Sequence, residues 1–279
     1  MTATYRGYTF DEVAQTIDHS VLKPDATMKD IVDGCQLAAK HRVATVCIRP
    51  CDVELASSLL SGSGVGVATV IGFPHGTTTT ATKVFEAVEA IHNGAVELDI
   101  VLNISALVSG NNEFVQQDIE AVVRAAKAQL ATCQIKVIFE TALLTDEQIV
   151  TACKLSEAAG ADYVKTSTGF ASGGATLEAV KLMKQTVGDR MKVKSSGGVK
   201  TLDQLIDFME AGVSRSGCSA TESVLTEFMA RAGRSEAEAT APTLHARSAT
   251  SSAQPRPEAC GCEAAPRARP TVREARRLR

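Results

Sequence analysis

The sequence predicts an α/β protein whose parallel strands close into a (β/α)8 barrel. Three observations predict it. Between residues 16 and 230 short β-branched runs alternate with segments of helical period, and no run meets its successor through a two-residue hairpin turn, so helical crossovers join parallel strands. The runs number eight, as a TIM barrel requires. Hydrophobic residues make up 44% of the 279 while aromatics make up only 4%, so the core must be built from Val, Ile, Leu and Ala. A doubly wound open sheet made from the same units is the second reading.

The elements follow in order. The first strand, residues 16–22, carries Asp18, His19 and Ser20. The second is 44–49 and the third 65–73, running into "GFPHG". In the helix that follows, Val84, Ala87, Val88 and Ile91 repeat at helical spacing and Gly94 ends the stripe. The fourth strand, 96–102, puts Glu97 and Asp99 on one face. After the fifth, 135–140, Thr145 and Gln148 form the capping-box pattern of a helix start. The sixth, seventh and eighth strands are 163–167, 192–195 and 213–217. In "TLDQLIDFMEAG" Thr201 and Gln204 cap a helix whose apolar stripe is Leu202, Leu205, Ile206 and Met209, and Gly212 suits the position after its end.

Charge separates body from tail. Of 29 basic and 32 acidic residues, ten Arg and five Glu lie in 231–279, leaving 19 basic and 27 acidic residues in 1–230. The barrel is therefore assigned to 1–230. Residues 231–279, rich in Ala, Arg and Pro and free of aromatics, are expected to form a disordered tail. Its basic end reads as solvated, and neither nucleic acid nor a membrane is expected as partner. No apolar run reaches the ~18 residues of a membrane span. The start "MTATYRGYTF" has no basic segment leading into an apolar one, so a cytoplasmic location with reduced thiols is expected for the eight cysteines.

In such a barrel chemistry belongs at the C-terminal strand ends. The sixth strand places Lys165 there, inside "ADYVKTSTGF". One reading lays its stem on the helix layer with the ammonium reaching water; the other points it into the barrel. The second gains from Lys194, likewise near the end of the adjacent seventh strand. Two close cations and burial both disfavour charge, so one lysine pKa should fall. At an ordinary value of ~10.4 fewer than about one lysine in a thousand is neutral at pH 7, and a drop of roughly three, about 4 kcal/mol, makes a large fraction nucleophilic. That is a route to a Schiff base. Asp99 is either the carboxylate that holds Lys194 protonated or a structural ion-pair partner. Gly197 and Gly198 after strand seven, with Gly217 and Ser219 before the helix near Thr221, fit a phosphate site. The five histidines show no metal-ligand spacing, and neither metal nor organic cofactor is expected.

These residues are recognisable together. "TIDHSVLKPDAT", "GFPHG", "VELDIVLN", "KVIFET", "DYVKTSTGF", "VKSSGGVKT" and "SRSGCSATE" resemble the deoxyribose-phosphate aldolase family over about residues 8–230. The resemblance implies a class I aldolase that reversibly cleaves 2-deoxy-D-ribose 5-phosphate to D-glyceraldehyde 3-phosphate and acetaldehyde. It implies Lys165 as Schiff-base nucleophile, Asp99 as proton-relay carboxylate, and Lys194 as the cation that perturbs Lys165. It places the phosphate at Gly197, Gly198, Gly217 and Ser219, with Thr168 and Gly169 beside it, and suggests a homodimer or homotetramer. Two positions depart from the family pattern: Ser216, usually aliphatic, and Cys218, often small or hydroxylated.

Overall fold

A computed structural model describes residues 3–232. The assignment of 231–279 as a disordered tail falls, beyond residue 232, outside them. Eight parallel strands close into a barrel: β1 (Ile17–Val21), β2 (Thr45–Ile48), β3 (Gly66–Ile71), β4 (Glu97–Val101), β5 (Gln134–Ile138), β6 (Tyr163–Lys165), β7 (Lys192–Ser196) and β8 (Arg215–Cys218). Closure is direct. β8 pairs with β7 through Arg215–Lys194 and with β1 through Gly217–Asp18. All eight expected strands form, with ends that differ by a residue or two, and the open-sheet reading falls because both edges are paired.

Alternation along each strand sorts side chains into two environments. Ile17, Val46, Ile48, Leu98, Ile100, Val137, Val164 and Val193 pack in one large cluster with the helices. A separate small cluster, Cys47, Ala68 and Val70 with Leu22 and Phe73, fills part of the barrel interior. Other interior positions carry Asp18, Glu97, Asp99, Lys136, Lys165, Lys194 and Arg215, whose polar ends meet one another.

Helices wrap the barrel: α1 (Phe10–Ala14), α2 (Met28–His41), α3 (Val53–Leu59), α4 (Thr80–His92), α5 (Ile104–Val108), α6 (Asn112–Gln129), α7 (Asp146–Ala158), α8 (Leu177–Val187), α9 (Leu202–Glu210) and α10 (Thr221–Arg231). Both expected capping boxes form, Thr145 with Gln148 and Thr201 with Gln204. In α4 the buried face is Lys83, Ala87 and Ala90, rotated from the expected stripe, with Val84 and Ile91 only half-buried. The reason is polar. The Lys83 ammonium donates to Asp118 of α6 at 2.6 Å and to the Val101 carbonyl at 2.9 Å, pulling that edge of the helix inward.

A two-stranded ribbon and α1 precede the first expected strand. Thr4–Tyr5 and Tyr8–Thr9 form an antiparallel ribbon whose turn, Arg6–Gly7, has φ of 51° and 84°. Arg6 pairs with Asp207 at 2.7 Å and Glu210 at 2.6 Å, and the Tyr5 hydroxyl donates to Asp203 at 2.9 Å, which latches the ribbon to α9. Among the described residues no helix is long and apolar enough to cross a membrane.

Candidate active site

The strand register assembles the site. Lys165 is the last residue of β6 and lies directly beside Lys194 of β7. Both ammonium groups donate to the same oxygen, Oδ2 of Asp99, each at 2.7 Å, and Lys136 of β5 donates to Oδ1 at 2.8 Å. Lys194 also donates to Asp18, which further accepts from Thr45 at 2.7 Å and from Arg215. Arg215 and Lys136 hold Glu97 at 2.8 and 2.6 Å. Sequence reasoning thus brings Lys165, Lys194 and Asp99 together correctly, and the snorkelling reading of Lys165 fails: its relative exposure is 2% and that of Lys194 is 0%.

The reasoning missed Lys136 and Arg215. Their signal was available, because Lys136 is a second lysine inside an apolar run, "QIKVIF". Together the interior holds three carboxylates, Asp18, Glu97 and Asp99, against four cations, Lys136, Lys165, Lys194 and Arg215. Uncompensated charge is costly away from water. Removing one proton from the cations makes the set neutral.

The lysine that gives up that proton most readily is Lys165. Burial is the main cause of its lowered pKa, Asp99 opposes the shift, and the Lys194 charge reinforces it. Burial acts on Lys194 as well, but Asp18 and Asp99 outweigh it and raise its pKa. Burial would raise Asp99, yet Lys136, Lys165 and Lys194 more than offset this and hold it well below the usual carboxylate range. The site therefore contains a fixed carboxylate, a fixed ammonium and an amine whose proton is loosely held.

Above these groups opens a cavity of about 830 Å³. Thr168, Gly169, Gly197, Gly198, Gly217 and Ser219 all line it, so the six residues expected around a phosphate share one space. Lys165, Asp99 and Lys194 do not themselves line it; Ser196, two residues after Lys194 in β7, and Thr168, three residues after Lys165 in the loop beyond β6, do. Two glycines sit at points of close approach. A Cβ on Gly217 would stand 2.7 Å from the Ser196 hydroxyl, and one on Gly197, at φ +84°, would stand 2.9 Å from Gly174. Thr166 couples the two strand ends by accepting from the Ser196 N–H at 3.0 Å and donating to its carbonyl at 3.2 Å.

His19 also lines the cavity. Burial lowers its pKa to about 4, and its Nδ1 lies 2.9 Å from the Thr221 hydroxyl at the start of α10. His75, by contrast, is exposed. The departures from the family pattern fall behind the cavity. Ser216 faces the helix layer, where its hydroxyl meets that of Ser195 at 2.6 Å, so neither is left unpaired. The Cys218 side chain is buried in the main apolar cluster, and its burial raises the thiol pKa.

The family model of the DeoC/LacD aldolases matches residues 12–221. The deoxyribose-phosphate aldolase of Bacillus mycoides is 51% identical over 213 residues, 76% of this chain and 94% of that protein. That of Staphylococcus epidermidis is 54% identical over 207 residues, 74% of this chain and 92% of that protein. Among solved structures, the tetrameric deoxyribose phosphate aldolase of Aeropyrum pernix superposes with a TM-score of 0.74 at 30% identity, covering 79% of this chain and 92% of that one.

Proposed function

The chain belongs to the DeoC/LacD family of aldolases, and from that premise we propose that it cleaves 2-deoxy-D-ribose 5-phosphate reversibly to D-glyceraldehyde 3-phosphate and acetaldehyde through a Schiff base on Lys165. The observation that carries this is the buried Lys165–Asp99–Lys194 contact beneath a glycine-lined cavity. An enzyme of this kind is a lyase. Its curated relatives carry that activity in their names.

The neutral Lys165 amine attacks C1 of the open-chain sugar, giving a carbinolamine that loses water to a protonated imine. Removal of the C3 hydroxyl proton lets the C2–C3 bond break, with its electron pair passing into the enamine while C3 leaves as the aldehyde carbon of glyceraldehyde 3-phosphate. Protonation at C2 and hydrolysis then release acetaldehyde and regenerate the amine. Lys194, kept charged by Asp18 and Asp99, is the proton store, and Asp99 joins it to Lys165. The backbone around Gly197, Gly198 and Gly217, with Ser219 ahead of the N-terminus of α10, holds the phosphate, and Thr168 and Gly169 complete the wall. The pathway fitting this chemistry is deoxyribose phosphate breakdown in the cytoplasm. The tetramer of the Aeropyrum pernix relative supports a homo-oligomer here.

The test is borohydride reduction in the presence of deoxyribose 5-phosphate, followed by peptide mass mapping. A reduced adduct on Lys165 is expected, and Lys165→Ala should abolish both adduct and turnover. Folded protein that gives no adduct there overturns the proposal.

A further inference from the structure

We propose that Glu140 and Ser167 bind the hydroxyl groups of the sugar chain, between the imine at Lys165 and the phosphate in the glycine loops. The inference rests on the phosphosugar-aldolase reading above and adds two residues to it.

Three buried side-chain polar atoms lack a hydrogen-bond partner among the described residues: Glu140 Oε1, Ser167 Oγ and Ser214 Oγ. Ser214 immediately precedes β8, at the opposite end of the barrel from the cavity. The other two follow the adjacent strands β5 and β6, at the catalytic end. An unpaired buried polar group has given up its water without gaining a partner, so the free protein gains nothing from either atom.

Glu140 carries a second cost. Its φ of 61° and ψ of 62° lie in the left-handed region, which a non-glycine residue occupies only under strain. The other two such residues, Arg6 and Arg42, are exposed in a ribbon turn and a helix C-cap, whereas Glu140 is buried. The backbone here is fixed by the Thr141 N–H, which donates to the Thr166 carbonyl at 3.0 Å. This geometry turns the carboxylate toward the loop after β6. Its Oε2 accepts from the Thr168 hydroxyl and from the Thr168 N–H at 3.2 Å, leaving Oε1 free.

Ser167 stands two residues beyond Lys165, and its Cβ lies 3.6 Å from where a side chain on Gly197 would begin. It therefore stands against the loop assigned to phosphate, two residues along the chain from the nucleophile. A sugar anchored at both ends must place its hydroxyl-bearing carbons between them. A hydroxyl both donates and accepts. The carboxylate oxygen can take its proton in a hydrogen bond, and the serine hydroxyl can donate to its oxygen. A site built this way rejects analogues lacking the hydroxyl, because its own polar groups then stay unpaired.

The experiment compares wild type, Ser167→Ala and Glu140→Gln in three assays: kcat/KM for deoxyribose 5-phosphate, borohydride trapping with acetaldehyde, which has no hydroxyl, and the urea midpoint. Ser167→Ala removes no hydrogen bond from the free protein, so its midpoint should hold or rise. Its kcat/KM should fall at least tenfold while acetaldehyde trapping stays within twofold. Glu140→Gln, which keeps an acceptor for Thr168, should behave alike; if it fails to fold, Ser167→Ala decides. Cleavage within twofold of wild type in Ser167→Ala overturns the proposal, as does an equal loss of acetaldehyde trapping. A wild-type protein that traps neither compound would instead overturn the aldolase reading.

Discussion

Replacing Lys194 by methionine tests the electrostatics of the nucleophile directly. The Lys165 and Lys194 ammonium nitrogens share Asp99 Oδ2 at 2.7 Å each, so they stand no more than twice that, about 5.4 Å, apart. At an effective dielectric of ~20 two unit charges at that separation repel by about 3 kcal/mol. Methionine keeps the length and removes the charge. Lys165 then regains affinity for its proton, and Asp99, freed of one competitor, adds to the effect. The expected result is an acidic limb of kcat/KM displaced by about two pH units to the alkaline side, with activity at pH 7 reduced on the order of a hundredfold. Cleavage of deoxyribose 5-phosphate measured from pH 5 to 10, with borohydride trapping in parallel, reads both. A limb that stays where it was, under a uniformly lower kcat, would refute the reasoning and assign Lys194 to proton transfer alone.

Three further outcomes follow from contacts around the site. Ser216→Ala strands the Ser195 hydroxyl and should lower stability by about 1–3 kcal/mol in urea unfolding, whereas the double change with Ser195→Ala should restore much of it; additive losses would mean that the pair at 2.6 Å is not coupled. Glu97→Gln removes the carboxylate charge shared by Arg215 and Lys136 and should cost about 1–3 kcal/mol of stability, read by the same unfolding curves, because each cation loses one charged partner while Asp18 and Asp99 still face them. The buried His19 is held at about 4, below its unfolded value of ~6.5, so between these limits the unfolded chain binds more protons. Its contribution is complete above about pH 6.5 and is lost as pH falls toward 4. His19→Leu should flatten the stability profile in that window, and an unchanged slope would assign the pH dependence to other groups.

Fold and site were legible to different depths. Alternating runs and helix signals located eight strands because both patterns are local, and the capping boxes at Thr145 and Thr201 needed only neighbours three residues away. The N-terminal ribbon was missed because its two-residue strands carry no period. What holds it is Arg6 on Asp207 and Glu210, some two hundred residues away. The rotation of α4 escaped for a similar reason: a lysine within a helix reads as solvent-facing until Asp118, from another helix, is placed beside it. Ser216 departs from the aliphatic residue of the family pattern, and only the register of β7 against β8 supplies the hydroxyl that pairs with it.

The two strand lysines show where sequence pattern stops. Lys136 and Lys165 each interrupt an apolar β-branched run, and both are fully enclosed by the barrel. Burial pushes each toward the neutral form. Lys136, one layer further from the strand ends, meets Glu97 at 2.6 Å, Asp99 at 2.8 Å and Asp18 at 3.6 Å, and these three carboxylates carry its pKa well above the ordinary value. Lys165 meets only Asp99, through an oxygen it shares with Lys194, so burial prevails and its pKa falls. Which lysine can serve as a nucleophile is therefore decided by how many carboxylates the other strands contribute at its level of the barrel. That count depends on register between β1, β4, β5 and β6, a property no single run of sequence contains.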